Sequence, residues 1–162
     1  MHTPQQMKTI EEYRRSVDMD VLNFIEDTIK GIDRMNYITV AFFTSEATQT
    51  IKRLTSKNVE GSRIVLDMNA VNHIINRHGS NGSHDHSMMD TKDLARIGYV
   101  LSNYDTIEFN GVTTTGYLDE NCEPSPMIKI SKRIDGTYYV IETVNSSKRK
   151  RSYIITAYII AN

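Results

Sequence analysis

Two imidazoles and a guanidinium stand close together in the chain, at His73, Arg77 and His78. Side chains of these types move protons near neutral pH and hold the negative charge that builds on a phosphate. Much later, Thr156 and Tyr158 are spaced two apart among apolar neighbours, so a strand would project both hydroxyls from one face. Lys132 and Lys148 belong to a basic stretch from Lys129 to Arg151 that only Asp135 and Glu142 oppose. That local charge suits a phosphate-bearing partner. Acid–base groups, cations and a hydroxyl pair together make a metal-free phosphodiesterase set. A competing set is the loop carrying His78, His84 and His86 with Asp85 and Asp90. Its spacing permits a transition metal, although no Cys contributes and no established ligand pattern is matched. A merely polar helix end, and a Thr–Tyr pair hydrogen-bonded at a core edge, would give the same sequence signals.

A helix must hold the first group. From Asp67, a good N-cap, Met68, Val71, Ile74 and Ile75 recur at helical spacing, and His78 falls on their face. His73 and Arg77 are four apart and share a different face. Gly79 is a good stop, which leaves His78 in the last turn, at the negative end of the helix dipole. Upstream, residues 5–34 read as one long helix with an apolar stripe from Ile10 to Ile32. Residues 37–43 read as a strand, 45–54 as a helix, 64–66 as a short strand, 79–87 as a loop and 90–97 as a helix. After that the period changes to two. One hairpin is expected around Asn110-Gly111 and a second around Asp135-Gly136. The final strand, 152–160, would place Ile154, Thr156, Tyr158 and Ile160 on one face. Helices followed by a meander of strands indicate an α+β domain with an antiparallel sheet.

At 162 residues the chain suffices for one domain with a core and an appendage. A net charge of −1 excludes a polyanion binder that works through its overall charge. The single Cys122 excludes an intramolecular disulfide and fits a reducing cytosol. No apolar run is long enough to span a bilayer, and no signal peptide, P-loop or dinucleotide glycine pattern is read.

An ordered set of segments then carries a resemblance. These are Val65-Leu-Asp67, His73-Ile-Ile-Asn-Arg77-His78-Gly79, Ser87-Met-Met-Asp90, Asp93 through Leu101, Asp135 through Glu142, Ser146-Ser-Lys148 and Thr156-Ala-Tyr158. Together, from about Asn36 to Asn162, they resemble the phage-associated members of the barnase–EndoU–colicin–RelE-like (BECR) superfamily of metal-independent RNases. The resemblance implies N-terminal helices packed on an approximately antiparallel four-stranded sheet, with the site between helix and sheet. It implies His73, Arg77, His78, Thr156 and Tyr158 as catalytic positions, with Lys132 and Lys148 on the substrate. No counterpart of the barnase glutamate base is evident. The domain expectation is a helical extension or linker remnant over 1–35 and a nuclease domain over 36–162. The expected activity is endoribonuclease cleavage by 2′-hydroxyl attack, without cofactor, as a phage or mobile-element toxin in the cytoplasm of a bacterial cell. Expected partners are RNA, tRNA among them, an immunity or antitoxin protein, and a second copy through the N-terminal helix; no membrane is expected. The rival readings are a non-catalytic phage accessory module with this fold and a metal-dependent hydrolase using His84 and His86.

Overall fold

The N-terminal stripe folds as two helices, not one, in the computed structural model, which describes residues 1–32, 34–113, 123–144 and 150–162. Helix α1 (Pro4–Arg14) starts from a capping box between Thr3 and Gln6. The chain restarts at Asp18, whose carboxylate accepts from the Asp20 and Val21 N–H groups and begins α2 (Met19–Ile29). Asp is a poor interior residue and a strong N-cap, so it divides the stripe. α2 carries Val21, Leu22, Phe24 and Ile25 into the core. α1 docks through Tyr13, whose hydroxyl donates to Asp93 at 2.6 Å and whose ring lies under the Arg96 guanidinium.

The remaining elements are β1 (Tyr37–Phe42), α3 (Ser45–Thr55), β2 (Arg63–Asp67), α4 (Met68–His78), α5 (Thr91–Ala95), α6 (Ile97–Ser102), β3 (Thr106–Val112), β4 (Pro126–Arg133), β5 (Thr137–Thr143) and β6 (Arg151–Ile160). They form one sheet of six strands in the order β1-β2-β6-β5-β4-β3. The expectation of a four-stranded antiparallel sheet is therefore corrected. β1 and β2 lie among the helices in sequence yet join the sheet, and β2 runs parallel to β6 while every other pair is antiparallel. Ile64, Val65 and Leu66 are all buried, the continuous apolar run of a strand covered on both faces.

Two further expectations change. Asn110-Gly111 is not a hairpin turn. β3 continues through it, and the pairing with β4 skips from Phe109 to Val112, with Gly111 at a positive φ of 82°. The left-handed glycine makes a β-bulge. Most of the strand expected after it lies outside the described residues, as do Cys122, Ser146 and Lys148. The Asp135-Gly136 hairpin between β4 and β5 is present. In β6 the pairing with β5 skips Ile155, since Ile141 faces Thr156 and Glu142 faces Ile154. This bulge moves Thr156 and Tyr158 to the face opposite Ile154, so the expected alignment of all three on one face is corrected.

Register then sorts the sheet. Ile128, Ile130, Tyr138, Val140, Ile154 and Ala157 share a buried face, where the Tyr138 hydroxyl donates to the Asp93 carbonyl of α5. Glu142 lies on this face too, fully buried, with neither carboxyl oxygen hydrogen-bonded among the described residues. Burial alone pushes its carboxyl up to about 8. The other face carries Lys129, Ile141 and Thr156 in one row and Ser131, Tyr139 and Tyr158 in the next. No helix among the described residues is long and apolar enough to cross a membrane.

Candidate active site

Asp67 caps α4 as the sequence indicates, accepting from the Ala70 N–H at 2.7 Å, and Val71, Ile74 and His78 are buried along one face. The helix ends by an exchange of hydrogen bonds with the loop after it. Its last four carbonyls have no partners within the helix. The Ile75 carbonyl accepts from Gly79, Asn76 from Ser83, Arg77 from both His84 and Asp85, and His78 from Met88. The loop backbone therefore crosses the helix end at close quarters. A Cβ on Gly82 would sit 2.5 Å from the Arg77 carbonyl oxygen, which only glycine avoids. Met88, fully buried, anchors the far end.

This fold-back delivers Asp85 to His78. The two meet at 3.0 Å between Oδ1 and Nδ1, with the imidazole only 5% exposed. Burial raises the Asp85 carboxyl, but the Ser87 N–H, the Ser87 hydroxyl and His78 outweigh it and hold it at about 2. An ionised carboxylate only accepts, so Nδ1 carries the proton and donates, and Nε2 is the nitrogen left for exchange. Ser87 also accepts from the Ile159 N–H at 3.0 Å. That contact ties the loop to β6 past Tyr153, where pairing with β2 ends.

On its other side His78 stacks on Tyr158, with ring centroids 5.4 Å apart, as the helical phase indicates. Tyr158 stacks in turn on Tyr139 at 5.3 Å, and the Lys129 ammonium lies 5.4 Å from the Tyr139 centroid. His84 stands edge-on to His78 at 5.6 Å with its side chain 63% exposed. Burial, then Tyr139 and Asp85, push the Tyr158 hydroxyl up, so it stays a neutral donor near pH 7. Thr156 is half-buried beside Tyr158, and its hydroxyl oxygen is buried with no hydrogen-bond partner among the described residues.

The other sequence-derived residues are placed less centrally. Arg77 is exposed and His73 half-buried. Burial, then the charges of Arg77 and His78, push the His73 imidazole down. Lys132 pairs across the strands with Tyr138, on the opposite side of the sheet from Tyr158, and its ammonium is 3.3 Å from Asp105. Lys148 lies outside the described residues. His84 and His86 are exposed, and among the described residues no group of three or more His, Cys, Asp or Glu is placed to hold a metal ion.

A family model described as phage-Barnase-EndoU-ColicinE5/D-RelE like nuclease3 matches residues 43–162, all of the given chain after β1. The chain belongs to this nuclease family. No curated protein matches it, and no solved structure does. The nuclease thus draws α4, the loop and β3 to β6 from the matched region, while α1, α2 and β1 precede it. For a nuclease, the arrangement offers proton transfer at His78 Nε2, a second imidazole at His84, and hydroxyls and a cation across the adjoining sheet face. Sequence pattern alone does not bring Asp85, Tyr139 and Lys129 to these places, and it offers His84 only as a metal ligand. Asp85 is seven residues from His78 across a loop, and Tyr139 and Lys129 join the row only through strand register.

Proposed function

We propose that the chain is an endoribonuclease that cleaves RNA by 2′-hydroxyl attack, giving a cyclic phosphate and a free 5′-hydroxyl without a metal. The observation that carries this reading is His78, buried between the Asp85 carboxylate and the Tyr158 ring, with Nε2 given no hydrogen-bond partner by the described residues and His84 beside it. In the proposed reaction His78 Nε2 takes the 2′-hydroxyl proton. The 2′-oxygen bonds to phosphorus, the bond from phosphorus to the 5′-oxygen breaks, and His84 returns a proton to that oxygen. Arg77 lies on the flanking face of α4 to balance phosphate charge, and the Tyr158 hydroxyl positions the phosphate. DNA lacks the nucleophile and would be spared. The family description supports a phage setting, and a toxin restrained by an immunity or antitoxin protein in the bacterial cytoplasm is the setting proposed.

The test is incubation with tRNA and bulk RNA in excess EDTA, with the same sequence as DNA in parallel. Cleavage of RNA alone, leaving cyclic phosphate ends, is expected. His78→Ala should lower it about 10²-fold or more, in the range of acid–base catalysis. Loss of cleavage in EDTA with recovery on adding zinc would replace this reading with a metal-dependent one centred on His84 and His86.

A further inference from the structure

We propose that Lys129, braced on the Tyr139 ring, is a subsite for a flanking phosphate of a single-stranded substrate, separate from the phosphate at which His78 acts. The inference rests on the endoribonuclease reading for its substrate and adds how that substrate is held. His78, Tyr158, Tyr139 and Lys129 form a continuous row with steps of 5.4, 5.3 and 5.4 Å. A phosphate hydrogen-bonded to the imidazole lies within about 3 Å of it, so it cannot also meet an ammonium three steps away. A polynucleotide carries a charge at every nucleotide, so the ammonium falls to a neighbouring phosphate. Tyr158 is stacked by His78 and by Tyr139, and Tyr139 is also covered by Lys129. These ring contacts compete with stacking of a base, and the row offers charge and hydroxyls, an arrangement suited to backbone rather than sequence.

The charge of Lys129 is uncommitted. Lys129 makes no ion pair among the described residues, and Glu108, its cross-strand neighbour on β3, is exposed and not within ion-pair distance. Lys132, in contrast, is paired with Asp105 on the other side of the sheet. The cation–π contact orders the Lys129 side chain before any substrate arrives, which lowers the entropy lost on binding.

The experiment uses the full chain and 2′-deoxy oligonucleotides, which bind without being cut. Hexanucleotide affinity is read by fluorescence anisotropy over a salt series, and a dinucleotide with one phosphate is followed by chemical-shift titration. Lys129→Gln should weaken the hexanucleotide several-fold and lower the slope of log K against log salt by about 0.7, the value for one phosphate on a single strand. It should leave the dinucleotide unchanged. Lys132→Gln should alter neither. An equal loss for both lengths, an unchanged slope, or no hexanucleotide binding by the wild type at low salt overturns the subsite. RNA cleavage assayed separately keeps the two readings apart. A protein that cuts no RNA but shows the slope change loses the endoribonuclease reading and keeps the subsite; the reverse result removes the subsite alone.

Discussion

Glu142 is a carboxyl buried among apolar side chains with no hydrogen-bond partner among the described residues, and its replacement by Gln tests how the core bears it. Its pKa rises from 4.5 to about 8, through burial. In the folded chain it therefore keeps its proton at pH values where the unfolded chain has lost it. The stability it contributes is complete below pH 4.5 and is lost as pH rises to 8, because the unfolded state then binds fewer protons. At about 1.4 kcal/mol per pK unit the loss is on the order of 5 kcal/mol, comparable to the whole stability of many domains. Glu142→Gln keeps the shape of the neutral acid and removes the titration. Urea unfolding of both proteins from pH 4.5 to 8.5 should show the variant gaining on the wild type steadily across that range. Taking the difference between the two cancels the histidines, which titrate in both. Parallel stability curves, or a wild type that gains on the variant as pH rises, would refute the argument that this carboxyl is desolvated and unpaired.

Asp85→Asn should lower RNA cleavage by about 10²-fold while the protein stays folded, since an amide no longer dictates which imidazole nitrogen carries the proton. Two-bond nitrogen–proton spectra should show His78 protonated at Nδ1 in the wild type and mixed in the variant; an unchanged tautomer would assign Asp85 a merely structural role. A chain starting at Asn36 lacks Val21, Leu22, Phe24 and Ile25, worth roughly 1.5–3 kcal/mol each, and should show no cooperative unfolding transition. Equal melting temperatures for the short and full chains would show α2 to be dispensable. Tyr13→Phe removes the 2.6 Å bond to Asp93 and should cost about 1–2 kcal/mol by chemical denaturation, with no change meaning that α1 is not docked in solution.

Local signals made α4 legible: an Asp cap, apolar residues at helical spacing, and His78 in phase with them. That phase points His78 toward the sheet, where it stacks on Tyr158. The sheet was less legible because its membership depends on long-range pairing. Nothing near Arg63–Asp67 announces a parallel partner in Arg151–Tyr153. Bulges defeated simple alternation twice, at Asn110-Gly111, where a turn signal serves a continuing strand, and at Ile155, where one extra residue reverses the faces. Lys132 and Lys129 illustrate the cost. They are three apart in one strand, so register alone decides which of the two shares a side with Tyr158.

The position of β6 bears on when the protein can act during its own synthesis. β6 comes last of the six described strands, yet it lies between β2 and β5, and without it β1–β2 and β3–β5 have no pairing between them. His78 emerges well before Tyr158, by several seconds at the usual ~5–20 residues per second. Throughout that interval the imidazole has its loop but neither the ring beneath it nor the adjoining strand. A ribosome translating this chain would thus hold an unassembled site until β6 has left the exit tunnel.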